Sequence, residues 1–274
     1  MKKAKKTLKK AHKSQVKQVK KTDKSIEIMG VTIFGTLKSE VLSRIWLQRK
    51  EMLHVATVNS EYIMEARTNE KFSQVLGKCL TVADGYGVVW ASQILQSHMT
   101  NSQIRSVERI TGVELSQEIL KHANVGREKV FLLGGAPGVA EKAAQEMSKK
   151  YPGVQISWYE GAKMVAIEKN EEASITIAKI NACEPDYLLV AYGSPYQDLW
   201  IEENRPYLRV RVAMGVGGTL DEWAGRVKLC PLWIDQLGFK WLWRVFHEPW
   251  RFNRIIKVFK FGFLVLWMKL KEMI

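Results

Sequence analysis

The feature that most narrows the fold of this chain is a unit that recurs between residues 53 and 225. A short apolar run meets a turn of glycine or polar residues, and a helical pattern follows. Leu53 to Val58 stops at Asn59-Ser60-Glu61, and Cys79 to Val82 stops just before Asp84-Gly85. Lys129 to Leu133 runs into Gly134-Gly135, Asp186 to Tyr192 into Gly193, and Arg209 to Met214 into Gly215-Val216-Gly217-Gly218. Runs this short and this apolar read as buried strands. Strands that alternate with helices pair in parallel, because each return crossing is made by the helix. The expected fold class is therefore α/β, a mostly parallel sheet with helices on both faces. Further helical spacing covers Leu37 to Gln48, Tyr62 to Leu76, Val88 to Leu95, Val113 to His122 and Glu171 to Ala182, and Ile26 to Phe34 reads as a strand or hairpin around Gly30.

In such a sheet all the strand-to-helix turns lie on one edge, where helix N-termini offer free N–H groups to anions. Asp84 sits on that edge between strand and helix, and Gly85 and Gly87 would allow close approach. Thr57 and Asn59 end the neighbouring strand and would face the same crevice. Arg109, beside Gly112 and a helix start, offers a planar fork to oxyanions. Gly134, Gly135 and Gly138 form a strand-turn-helix transition suited to phosphates, although the order is not a dinucleotide fingerprint. No acidic residue closes the next strand at the distance a nicotinamide cofactor's ribose needs. Gln197, just after Pro195, would point its amide into the crevice toward a base or a sugar hydroxyl. Each residue also has a plainer account: a helix cap for Asp84 or Asn59, a surface ion pair for Arg109, solvent for Gln197. One capped turn is ordinary, but polar strand ends repeated along one edge describe a binding crevice.

Charge divides the chain into three. Residues 1–24 carry 11 Lys against one Asp, and residues 226–274 carry ten Lys and Arg against three acids, so the middle is mildly acidic. This organisation reads as a basic, disordered arm at 1–24, a core at 25–225 and a basic, aromatic appendage at 226–274. The apolar run Phe261 to Met268 is too short to span a bilayer. Its mixture of aromatics and lysines suits a helix in the headgroup layer of an anionic membrane, and a helix docked on protein is the alternative. The three Cys and five His are scattered without metal-site spacing, so no metal is expected and a reducing compartment fits. Nucleic acid is not an expected partner, because binding by the basic ends would leave the crevice unexplained.

Several segments, in order, resemble the WecG/TagA/CpsF glycosyltransferase family over about residues 26 to 254. They are Thr57-Val58-Asn59-Ser60-Glu61, Ala83-Asp84-Gly85-Tyr86-Gly87, Arg109-Ile110-Thr111-Gly112, Phe131-Leu132-Leu133-Gly134-Gly135, Gly193-Ser194-Pro195-Tyr196-Gln197-Asp198-Leu199-Trp200, Gly215-Val216-Gly217-Gly218 and Glu248-Pro249-Trp250-Arg251. The resemblance implies a Rossmann-like core and an appendage that meets the cytoplasmic face of the membrane as a peripheral contact and completes the site. It implies inverting transfer of a sugar, N-acetylmannosamine in the TagA branch, from a UDP donor to polyprenyl-diphosphate-linked N-acetylglucosamine. No obligatory metal or other cofactor is implied. Teichoic acid or a related surface polysaccharide would be the product, and a homo-oligomer is compatible with the sequence. By position Asp84 becomes the base, with Thr57 and Asn59 beside it. Gln197 and the Gly215 to Gly218 loop fall to the donor, Asp221 to substrate binding, and Arg244, Arg251 and Arg254 to diphosphate. One departure is Leu229-Cys230-Pro231 where the family commonly reads Arg-Ala-Pro, which leaves a basic ligand missing or moved to Lys228.

Overall fold

The computed structural model describes residues 25–35, 37–96, 107–162, 170–248 and 252–273. The basic arm at 1–24 and Arg251 lie outside them. β1 (Ser25–Ile28) and β2 (Val31–Phe34) pair as an antiparallel hairpin turned at Met29-Gly30. After α1 (Lys38–Leu47), β3 (Leu53–Val58) ends at Asn59, whose Oδ1 accepts from the Tyr62 N–H at 3.1 Å and caps α2 (Ser60–Ala66). The single helix expected from Tyr62 to Leu76 is two. Asn69 accepts from the Phe72 N–H and starts α3 (Glu70–Leu76) afresh, because an asparagine that bonds the backbone ahead of it favours a cap over a helix interior.

β4 (Leu80–Ala83) and α4 (Tyr86–Gln96) flank Asp84. Thr111 and Glu114 form a reciprocal capping box at the head of α5 (Gly112–Gly126). Then come β5 (Lys129–Gly134), α6 (Val139–Lys150), β6 (Gln155–Tyr159), α7 (Asn170–Cys183), β7 (Tyr187–Ala191), α8 (Tyr196–Asn204), β8 (Val212–Gly215) and α9 (Thr219–Trp223). Two short helices, α10 (Leu232–Gln236) and α11 (Lys240–His247), precede the long α12 (Phe252–Met273).

Six strands pair in parallel in the order β4-β3-β8-β7-β5-β6. The side chains alternate between two cores. Val55, Leu132, Leu189 and Met214 join α1, α5, α6 and α9 on one face. Leu133, Leu188 and Ala213 meet α7 and α8 on the other, while Ala56 and Val58 meet α2, α3, α4 and the hairpin there. Such period-two alternation between two buried faces is what a sheet covered by helices on both sides demands.

The C-terminal stretch expected to form one appendage divides. α10 and α11 cross near the strand ends, but α12 returns to the core, where Phe261 and Val265 are buried against α2 and α4. Gly87 leaves room for this crossing: a Cβ there would stand 3.9 Å from the Phe261 ring and from Ser60. The alternative of docking on protein therefore holds for one face of α12. Its other face exposes Phe259, Phe263, Leu266, Trp267 and Leu270. Among the described residues no helix is long and apolar enough to cross a membrane.

Candidate active site

The register Val58↔Ala83 ends β3 with β4, Val190↔Gly215 joins the ends of β7 and β8, and Val55↔Met214 links the two pairs, so all four strands end on one edge. Asp84 lies one residue past β4. Its N–H donates to the Val58 carbonyl at 2.7 Å, and Gly85 (φ +104°) then bends the chain into α4. The side chain of Asp84 is half-buried. A left-handed turn this tight is open to glycine and costly for other residues. On the far side of β4, Arg109 bridges to Ala83, and the Ile110 N–H donates to the Ala83 carbonyl at 2.8 Å. Thr57 is buried on β3, with Gly112 packed so closely that a Cβ there would lie 3.2 Å from Thr57 Oγ1. Asp84, Thr57, Asn59 and Arg109 are thus brought to one corner of the edge, although the Asn59 oxygen is spent on its helix cap.

Arg109 turns toward the appendage. Its Nη2 donates to Asp235 Oδ1 of α10 at 2.7 Å, and its Cζ stands 4.5 Å from the Tyr86 ring centre. Gly238, between α10 and α11, lies against the same ring. Burial opposes the charge on Arg109, but the hydrogen bond and charge of Asp235, with Tyr86 and Asp84 behind, hold its pKa above the ordinary guanidinium value. Arg109 does form an ion pair, with Asp235 rather than Glu108 as partner.

β8 lies two strands from β4, roughly 10 Å at ordinary strand spacing. Here the Gly217-Gly218 turn meets Arg244 of α11: a Cβ at Gly218 would fall 3.0 Å from the guanidinium. Arg244 is held by Glu248, which accepts from Nε at 3.1 Å and from Nη2 at 3.0 Å. The Gln197 amide does not face the crevice. It is buried at 2% exposure, its Oε1 accepting from the Gly217 N–H at 3.0 Å and its Nε2 donating to the Tyr62 hydroxyl at 2.7 Å. Because α8 packs on the sheet, its first turn points Gln197 inward, which spacing alone does not reveal. Asp221 lies half-buried in α9. Arg254 falls in the first turn of α12.

The glycines of the β5 turn also differ from expectation. Gly134 (φ +93°) makes way for Tyr192, whose ring would stand 2.7 Å from a Cβ there. The Gly135 N–H donates to the Ala191 carbonyl and the Gly138 N–H to Glu160 Oε1 at 2.7 Å, so both donors have partners inside the protein. Glu160, one residue past β6, is an acidic group on this edge that the sequence reading passed over. Among the described residues no group of three or more His, Cys, Asp and Glu is placed to hold a metal ion.

Sequence reasoning also missed the partners of Gln197. Tyr62 donates to Asp198 Oδ2 at 2.7 Å, and Asp198 Oδ1 lies 3.2 Å from His54 Nε2. Two signals were available: a histidine inside the apolar run Leu53-His54-Val55, and an aspartate on the buried side of α8.

Comparison with known proteins gives relatives over most of the chain. The profile of a family described as the glycosyl transferase WecG/TagA/CpsF family matches residues 26–273. The chain is 28% identical over 228 residues to a Bacillus subtilis (strain 168) protein named N-acetylglucosaminyldiphosphoundecaprenol N-acetyl-beta-D-mannosaminyltransferase, covering 83% of this chain and 84% of that one. It is 30% identical over 254 residues to proteins of the same name from Staphylococcus aureus strains MRSA252 and MW2, covering 90% of this chain and 95% of each.

Proposed function

The chain belongs to the WecG/TagA/CpsF family of glycosyltransferases, and from that premise we propose that it moves N-acetylmannosamine from UDP to polyprenyl-diphosphate-linked N-acetylglucosamine. The product would serve surface-polymer synthesis of the teichoic acid kind, at the inner face of the cell membrane. The acceptor and the transferred sugar follow from the names of the relatives.

One observation carries the reading. Asp84 stands at the end of β4, and the Arg244 guanidinium lies against the Gly218 turn past the end of β8. In a single displacement Asp84 takes the proton of the acceptor hydroxyl, and the hydroxyl oxygen attacks the anomeric carbon from the face opposite the leaving group. The bond from that carbon to the diphosphate breaks, and the electron pair leaves with UDP. Arg244 offsets the charge that develops on the departing phosphate, in a geometry already set by Glu248. Thr57, buried beneath Asp84's corner, shapes the floor.

The lipid part of the acceptor suits the outer face of the C-terminal helices. Ile234, Phe239, Leu242, Trp243 and Phe246 line an apolar groove of about 210 Å³ on α10 and α11, the helix that also carries Arg244. Lys260 and Lys271 accompany the exposed aromatics of α12, the combination that binds anionic lipid surfaces. The test is UDP release from UDP-N-acetylmannosamine with a lipid-diphosphate N-acetylglucosamine analogue, run beside a panel of other UDP-sugars. Turnover with a different sugar alone would reassign the donor, and none with any would overturn the reading.

A further inference from the structure

A chain of hydrogen bonds with a fixed sense runs from the interior of the protein to the Gly217 turn. At its inner end His54 is wholly buried, with Nε2 on Asp198 and Nδ1 3.5 Å from Glu202. Burial works against a charge on this ring, yet its surroundings raise its pKa well above the ordinary value. Cys79 is among those neighbours, but burial pushes the Cys79 thiol up and keeps it neutral, so the charge on His54 answers to Asp198 and Glu202. Asp198, fully buried, accepts the Tyr62 hydroxyl proton at 2.7 Å. Burial, and then the charge of Asp198, hold the Tyr62 phenol well above its ordinary pKa, against the opposing donors Gln197 and Ser194.

The donors and acceptors leave one arrangement. A carboxylate only accepts, so the Tyr62 proton is committed to Asp198 and the Tyr62 oxygen can only accept from Gln197. That selects the Nε2 end of the amide. The Oε1 end must then face the Gly217 N–H, and it does so at 3.0 Å. Gly215 leaves space for this amide, since a Cβ there would collide with it. Gly218, the residue after Gly217, is the one on which Arg244 rests.

We propose that Tyr62 and Asp198 are positioning residues for the transfer: they set the sense of the Gln197 amide, and the amide holds the Gly217 turn where Arg244 meets the donor diphosphate. The inference rests on the glycosyl-transfer reading for its kinetic part only.

Asp198→Asn is the sharp test, because it keeps shape and reverses sense. With the new Oδ1 held by the His54 Nε2–H, the new Nδ2 would donate to Tyr62, Tyr62 would donate to Gln197 Oε1, and the amide would turn its Nε2 against the Gly217 N–H, donor against donor. The expected result in the full-length protein is a fall of about tenfold or more in kcat/KM, the magnitude of one buried donor left unmatched. A rise in KM for the donor accompanies it, and the Gly217 amide exchanges with solvent about tenfold faster or more. Gln197→Glu alone is also expected to fail, since two carboxylates would compete for one hydroxyl proton. The double variant Asp198→Asn with Gln197→Glu restores a consistent chain and the same total charge. It is expected to regain most of the lost kcat/KM and the protection of Gly217.

A double variant no better than Asp198→Asn overturns the proposal, as does unchanged Gly217 exchange in Asp198→Asn. Should Asp198→Asn fail to fold, Tyr62→Phe carries the same reading: faster Gly217 exchange supports the chain and unchanged exchange refutes it. The exchange measurement needs no substrate, so an unmodified protein inactive toward the donor would refute the function and leave the positioning chain still under test.

Discussion

Arg109 Nη2 and Asp235 Oδ1 are 2.7 Å apart, and this contact ties the strand-end corner that holds Asp84 to the first helix of the appendage. The two residues are 126 positions apart in the chain. Both are partly buried, so removing the carboxylate leaves a guanidinium poorly solvated. Asp235→Ala is expected to cost about 1.5 to 3 kcal/mol in urea unfolding, the range for hydrogen bonds to charged groups. Limited proteolysis should open α10 and α11 before the core. Equal cleavage rates in the two proteins would show that the pair does not hold the appendage down.

Asp84→Asn removes the proposed base and keeps its volume. Turnover should fall by about two orders of magnitude or more, with thermal unfolding and donor binding unchanged. Retained turnover would take the proton-accepting role away from Asp84.

The buried His54 cluster makes stability depend on pH in a definite direction. Because the folded pKa of His54 is raised, its contribution is complete below the ordinary imidazole value of about 6.5 and is lost as pH climbs through the folded value. Glu202 has the opposite sign. The His54 ring 3.5 Å away, opposed by burial and assisted by Arg205, lowers it to about 2, so its contribution is present above its ordinary value and lost as pH falls toward about 2. Urea unfolding across pH 5 to 9 should show stability falling on the alkaline side, with a flatter profile in His54→Gln. Parallel profiles would mean that the ring is neutral in the fold.

Phe261 is 2% exposed in the core between α2 and α4. Phe261→Ala should cost about 3 to 5 kcal/mol, the usual range for a buried aromatic. A chain ending at residue 251 should lose cooperative unfolding. A stable, cooperative truncation would return α12 to the status of a separate appendage.

The outer face of the same helix makes the contrasting case. Replacing exposed Phe259 and Phe263 by Ser should leave unfolding within about 0.5 kcal/mol while abolishing flotation with anionic vesicles. Undiminished flotation would move the membrane contact elsewhere.

The strands and their common edge were legible because each strand is a short apolar run whose end is marked by a residue unfit for a core: Asn59, Asp84, Gly134, Gly193, Gly215. The position of Asp84 follows from that alone. What stayed hidden was direction around a helix or turn when the partner is distant in sequence. Gln197 faces inward because Tyr62, 135 residues earlier, receives it. Gly134 is small because Tyr192 fills the space above it. The break at Asn69 was missed because Tyr62 to Leu76 keeps helical spacing across it, and a capping side chain is judged by its bond rather than by its neighbours. For α12, an apolar stripe states that something covers it without stating what, and here protein covers one side while the aromatics of the other remain open.

The last strand of the sheet is its middle. β8 pairs with β3 on one side and β7 on the other, so during synthesis the early pair β3-β4 and the later set β5-β6-β7 have no shared partner until residues 212–215 emerge. Contacts of such long sequence separation form late and slowly. A nascent chain stalled before Val212 therefore carries Asp84 and Arg109 beside β3 and β4 and the Gly134 turn beside β5 to β7, with the strand that joins the two sets still missing. The edge that sets Asp84 and the Gly217 turn in one sheet exists only once residues 212–215 have joined it.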